Sequence, residues 1–294
     1  MRIIDLHVHA GPSVMPRDID GIDMFHEAVS AGYRAFIIKD HYFPTMMNAK
    51  IIEDHFGKGN CRVFGGIALN NSIGGLNLKA VDTACALGAK IVWMPTVSSL
   101  RHKTAHEGHG LAFPSSSGIT VTENPIYYLN DTMELSIGAK EIVMYLADRD
   151  DVILATGHGS RDEVNALIEF AHEKGVKRIL VNHPHYMIDA SLDDMIRWSR
   201  LGAYIELNAT VFVPTSRFCT NDMAEVKDII GAVGVDRIVI DSDYGQKGNG
   251  SPVAGLSKFV QLVRDECGLT DEQIDKMCYV NPAWLLNIQE EENE

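Results

Sequence analysis

Two histidines spaced two apart, His7 and His9, close a short apolar run that begins at Ile3. In an extended strand that spacing puts both imidazoles on one face. Neutral imidazole nitrogens on one face suit zinc, iron or nickel, so a metal site is one reading and a pair of buried, hydrogen-bonded histidines is the other. Metal-compatible side chains recur at the ends of further apolar runs: Lys39-Asp40-His41, His158 between two glycines, Asn182-His183-Pro184-His185 and Asp241-Ser242-Asp243. Of the 12 histidines, six (His7, His9, His41, His158, His183 and His185) fall at such ends, a poor match to chance. Gathered on one rim, these groups would bind a divalent cation, activate water and move a proton.

The elements that must gather them are eight apolar runs alternating with helix-like stretches: 2–8, 34–39, 62–68, 90–95, 151–156, 178–182, 203–208 and 237–242. Most runs are continuous rather than alternating, as in strands buried on both faces of a parallel sheet. Between them Asp20 and Gly32 bracket a helix over 21–31, and Ser160 and Gly175 bracket one over 161–174. Ser191, with Asp194 three residues on, opens another over 191–201, and segments 73–87 and 222–233 end near Gly88 and Gly234. Eight strand-plus-helix units predict an α/β fold, a (β/α)8 TIM barrel whose active face lies at the C-terminal strand ends. Two regions exceed a bare barrel: a long β4-α4 loop over roughly 97–133, and a C-terminal helical extension over 251–289 that Pro282 should interrupt. Residues 1–289 read as a single domain and 290–294 as a disordered acidic tail.

Composition narrows the function classes. The formal net charge of −14 argues against nucleic acid as a partner, because non-specific binding needs a basic footprint. No run of about 18 apolar residues crosses a membrane, and the N-terminus carries no basic-then-apolar leader. Five cysteines, an odd number with no C-x-x-C pair, fit reduced thiols of a cytoplasmic protein. None of them ends a strand, so cysteine nucleophile chemistry has no support.

The strand-end pattern resembles the amidohydrolase superfamily of metal-dependent hydrolases. The resemblance rests on His7-Val8-His9, on His158 and His183, and on the run from Gly234 to Tyr244, which is similar to the G-x-D-R-I-x-x-x-S-D-Y segment of the decarboxylase and hydratase branch. That run also resembles the matching strand of phosphotriesterase-like lactonases, and Asn281-Pro282-Ala283-Trp284-Leu285-Leu286 is similar to the N-P-A-x-L-L ending common in these enzymes. The resemblance implies that His7 and His9 hold one metal with Asp243, and that His158 and His183 hold a second or His183 acts beside a single one. Asp241 is then a supporting partner of the site or the ligand itself. The cofactor implied is one or two divalent metals per chain, zinc first, with manganese, iron or nickel as alternatives.

One departure stands out. Where binuclear members carry a bridging lysine or glutamate on strand four, this chain has Met94-Pro95-Thr96. Either one metal is bound, or Lys39 bridges as its carbamate; binding a substrate carboxylate and a plain ion pair are its other roles. His41 shares the face of Lys39 and competes for the ligand role. His185 and the basic loop residues Arg101, His102 and Lys103 are candidate contacts for a small, anionic substrate, and Asn70 and Asn71 for hydrogen bonds to it. His106 and His109 have a spacing that would suit a further metal, and Glu206 on strand seven is a candidate to orient a ligand histidine. The expected reaction is hydrolysis of a small amide, cyclic amide, lactone or ester, with Asp243 and His183 as catalytic groups. A mononuclear decarboxylase or hydratase and a non-catalytic metal-binding barrel are the alternatives, and a homo-oligomer is compatible with any of them.

Overall fold

The computed structural model describes residues 1–57, 61–109 and 118–288, with only the backbone over 106–109. Eight strands run in sequence order around one parallel sheet: β1 Ile3–Val8, β2 Tyr33–Ile38, β3 Arg62–Ala68, β4 Ile91–Trp93, β5 Ile153–Ala155, β6 Ile179–Val181, β7 Ala203–Asn208 and β8 Ile238–Asp241. Every neighbouring pair from β1 to β8 is parallel. The ring shuts through a parallel bridge between Val8 and Tyr244, with His9 N donating to Tyr244 O at 2.9 Å and Asp243 N to His7 O at 2.8 Å. The fold is the expected (β/α)8 barrel.

Helices α1 Gly21–Ser30, α2 Met46–Phe56, α3 Leu78–Ala86, α4 Leu100–His109, α5 Ile137–Ala147, α6 Arg161–Lys174, α7 Leu192–Arg200, the short α8 Ala209–Phe212 and α9 Met223–Val233 follow the strands. Their starts obey local chemistry. Asp20 accepts from Ile22 N and Asp23 N, and Ser160 with Glu163 and Ser191 with Asp194 form reciprocal capping boxes. The stretch read as a helix from 73 begins only at Leu78, capped by Asn77, after a single 3₁₀ turn at Asn71–Ile73.

The long segment after β4 differs from the expected loop, since its first part is α4. Ser99 Oγ accepts the His102 amide at 3.0 Å and starts the helix, a cap hidden among Ser, Thr and Gly residues with no apolar stripe to mark it. Residues 110–117 of that loop lie outside the described residues, as does the tail 290–294.

The C-terminal extension holds α10 Pro252–Cys267, α11 Asp271–Asp275 and α12 Asn281–Leu285. Pro282 does not interrupt it: proline falls in the first turn of α12, where its missing N–H costs little, after a wide π-helical turn at Lys276–Val280. Tyr279, Ala283, Leu285 and Leu286 pack with Ile4, Leu6 and Tyr204 from inside the barrel and close it at the strands' N-terminal ends. Asn281 fastens this plug, donating to Val235 O at 2.8 Å and Ile238 O at 2.6 Å at the entry to β8.

Strand β1 is not regular. Asp5 pairs with Phe36 but Val8 with Ile38, so three steps on β1 face two on β2, the signature of a bulge. Ile4 and Leu6 pack inside the barrel while Val8 packs outward against the helices. The extra residue therefore lets Leu6 fill the core and still turns His7 and His9 to the interior. Asp5 accepts from His7 N and Ser242 N at 3.1 Å each and staples the bulge to β8.

At the top of this seam Gly245 has φ +105, and a Cβ there would run into the carbonyl oxygen of His9. Only glycine lets the β8 loop approach β1 so closely. Gly245→Ala is expected to cost more than about 2 kcal/mol of stability, read from urea unfolding, because both the backbone angle and the close contact oppose a side chain. A wild-type midpoint in that variant would contradict this account of the seam.

Candidate metal and catalytic site

The barrel interior changes from apolar to polar towards its C-terminal end. Above Leu6, Ile37, Trp93, Leu180, Tyr204 and Val239 stand His7, Lys39, Asn182, Glu206, Asn208 and Asp241, all buried. Over this floor opens a cavity lined among others by His9, Lys39, His41, His102, His158, His183 and Asp243.

His7 Nε2 and His9 Nε2 approach Asp243 Oδ1 at 3.2 and 3.0 Å, and His183 Nε2 lies 4.0 Å from Asp243 Oδ2. On its other side, His7 Nδ1 meets Glu206 Oε1 at 3.0 Å, while Glu206 Oε2 accepts from Asn182 Nδ2 at 3.1 Å. Burial opposes ionisation of Glu206, yet the electrostatic pull and hydrogen bond of the His7 Nδ1–H hold its pKa well below the usual carboxylate range. An ionised Glu206 assigns the His7 proton to Nδ1, which leaves a lone pair on Nε2. That lone pair faces Asp243 and is met by Lys39 Nζ at 2.8 Å. Asp241 sits lower, accepting from Asn208 Nδ2 at 2.5 Å; burial and then the charge of Glu206 push its pKa well up, so it is the neutral member of the pair.

Donor atoms close enough to share one ion form two groups among the described residues: His7, His9 and Asp243, and His7, His183 and Glu206. The first fits a divalent cation by donor type, two imidazoles and a carboxylate, and by the carboxylate that orients His7 from behind. His158 belongs to neither group. Its Nδ1 pairs with His102 Nδ1 at 2.8 Å, with the rings stacked 4.9 Å apart, and its Nε2 is buried with no partner among the described residues.

Two of the residues that converge here carry left-handed backbones, His183 at φ 47 and Asp243 at φ 49. Non-glycine residues adopt that region only where the surroundings impose it, and such strain gathers at functional sites.

Other expected residues are placed differently. His41 lines the cavity with its Nδ1 on Thr96 Oγ1 at 2.9 Å. His185 is buried against Phe212, ring centroids 4.7 Å apart, and lies outside the cavity wall. Arg101 donates through Nε to Met187 O at 2.7 Å, fastening α4 to the rim instead of lining the pocket. Asn70 braces the loops, donating to His41 O and Thr96 Oγ1 at 2.7 Å each, and Asn71 binds Asn124 O, so neither faces the cavity. The side chains of His106 and His109 lie outside the described residues. Arg17, Tyr186, Phe218 and Gln246 line the cavity without having been read from the sequence. Only Arg17 carried a signal, as a lone cation in the loop directly after His9.

The whole-chain likeness to solved structures is with barrels of the amidohydrolase type, and this chain has their fold. An amidohydrolase from Pseudomonas aeruginosa matches at TM-score 0.63 and 13% identity over 97% of this chain and 95% of that one. The phosphotriesterase homology protein of Escherichia coli matches at 0.55 and 14%, over 96% and 97%, and a lactonase from Listeria monocytogenes at 0.58 and 12%, over 98% and 95%. Within that fold class the chain belongs to DUF6282, a family of unknown function whose model matches residues 2–206. No curated protein matches it in sequence.

Burial pushes the pKa of His183 and of His185 down from 6.5 to about 4. The unfolded chain takes up these protons first, so their contribution to stability is complete above pH 6.5 and is lost as pH falls towards 4. For metal-free protein the loss should reach about 2 kcal/mol per histidine at pH 5. Urea midpoints measured at pH 7.5 and 5 check it, and equal values would refute the buried-neutral assignment.

Proposed function

We propose that the protein is a metal-dependent hydrolase of a small amide, cyclic amide, lactone or ester, with its cation held by His7, His9 and Asp243. The observation that carries this reading is the approach of two imidazole Nε2 atoms to one Asp243 oxygen at 3.2 and 3.0 Å, with His7 oriented from behind by an ionised Glu206. The amidohydrolase and lactonase among the similar structures support the same chemistry.

When bound, a divalent cation in this position supplies Lewis acidity, polarising the scissile carbonyl and lowering the pKa of water towards about 7. Asp243 takes the proton from the attacking water and returns it to the leaving group. His183, neutral at pH 7 with a pKa of about 4, stands 4.0 Å from Asp243 to receive or relay that proton. Glu206 fixes the tautomer of His7, and Met15, Val211 and Phe218 supply apolar cover that limits water in the cavity. Lys39 is the residue to carry a second ion: burial lowers its pKa, and the neutral amine is the form that reacts with carbon dioxide to give a carbamate. His158 and His183 complete that second site, with zinc as the first choice of metal. Unpaired cysteines support a reducing, cytoplasmic setting, and no described helix is long and apolar enough to cross a membrane.

A second reading, a mononuclear decarboxylase or hydratase, is favoured by one observation: His183 Nδ1 is buried with no partner among the described residues, which leaves the ring available as a free acid or base beside a single metal.

Elemental analysis should find about one ion per chain, or two if Lys39 is carbamylated. His9→Ala should abolish uptake, and Glu206→Gln should weaken it by about 10–100-fold through loss of orientation at His7. Asp243→Asn is expected to lower turnover of a responsive ester or lactone by about 10²–10⁴. Lys39→Ala with unchanged metal content removes the bridging role. A wild-type chain that takes up no zinc, manganese or iron overturns the hydrolase reading, and release of carbon dioxide from a carboxylated substrate selects the second one.

A further inference from the structure

Arg17 lies in the loop between β1 and α1, with its side chain only 4% exposed, and it lines the cavity that holds His9, Lys39 and Asp243. A guanidinium has five N–H donors and cannot lose its charge, so a buried one needs oxygens around it. The nearest carboxylate, Asp40, is already engaged. Its Oδ1 accepts from Tyr42 N at 2.8 Å and Phe43 N at 3.2 Å, and its Oδ2 accepts from the Ser13 hydroxyl. What reaches Arg17 is one long contact, Nη2 to Oδ2 at 3.4 Å, and Arg17 Nε has no partner among the described residues.

The loop that carries Arg17 is fixed in place. Arg17 is bridged to Gln246, Asp18 N donates to Gly245 O at 2.9 Å, and the Asp18 carboxylate accepts from Gly248 N and Gly250 N at 2.8 Å each. These are the residues that follow Asp243, so Arg17 and Asp243 are held by the same loop pair. The cation is thus preorganised and under-satisfied, on the wall of the cavity and beside the candidate catalytic aspartate. Its neighbours add to the imbalance: Lys39 is a second lining cation, while Asp243 is the lone lining carboxylate and is the one that a metal would occupy.

We propose that Arg17 is the substrate anchor of this site, binding an oxyanion group, carboxylate or phosphoryl, and so restricting the enzyme to acidic small molecules. The planar fork of the guanidinium matches two oxygens of such a group. The proposal rests on the hydrolase reading only in calling the ligand a substrate, because the anion site itself needs no metal.

The test is calorimetric titration of full-length protein, metal-loaded and metal-stripped, with inorganic phosphate and with glutarate at fixed ionic strength. Saturable binding of at least one probe by wild-type protein in both forms is expected, and the probe that binds tells phosphoryl from carboxylate. Arg17→Gln should weaken that binding at least tenfold with metal content unchanged. Arg17→Met, which keeps the buried stem, provides the same comparison should the glutamine variant misfold. Absence of saturable binding to wild-type protein, or wild-type affinity in a folded Arg17 variant, overturns the proposal. Failure to load metal while anion binding persists sinks the hydrolase reading alone.

Discussion

His7 Nε2 presents a lone pair to the Asp243 carboxylate, and two such acceptors 3.2 Å apart in a buried floor repel unless a cation stands beside them. In the chain by itself that cation is Lys39, whose amine reaches His7 Nε2 at 2.8 Å. The requirement propagates through the structure. It places the His7 proton on Nδ1 towards Glu206, whose pKa is held down, while burial and the charge of Glu206 raise that of the neighbouring Asp241. Without a positive charge at this point the His7 lone pair and the Asp243 carboxylate would face each other uncompensated.

Backbone features serve the same end. The β1 bulge turns His7 and His9 into the barrel while leaving Leu6 in the core. Asp5, Ser242 and Gly245 bind that bulge to β8, so the first and last strands meet where His7 and His9 meet Asp243. His183 and Asp243 accept left-handed backbones at the ends of their strands. The C-terminal helices close the opposite end of the barrel with Tyr279, Leu285 and Leu286, and this apolar plug offsets the cost of a polar upper layer.

The segment after β4 joins the site through α4. His102 stacks on His158 and shares a proton with it, and Arg101 ties the helix to the carbonyl of Met187 on the opposite rim. The first turns of α4, expected from the sequence to be loop, are therefore bound on two sides of the cavity.

Strand order, barrel closure and the identity of the converging residues were legible because they follow from local rules: continuous apolar runs, caps such as Ser160 and Ser191, and polar residues at strand ends. The same rules could not separate Asp241 from Asp243, which share a strand face in sequence; packing sets them apart, Asp241 against Asn208 in the floor and Asp243 against His7 and His9. Nor could they reveal Arg17, whose meaning depends on Asp40 being already occupied by Tyr42, Phe43 and Ser13. Asn70 and His185 looked like substrate contacts by position and are braces by packing. The sequence by itself determined the fold and the rim on which the candidate groups gather. Only the tertiary structure decided which partners each titratable group meets, since side chains from opposite ends of the chain, such as His7 and Asp243, share one buried floor.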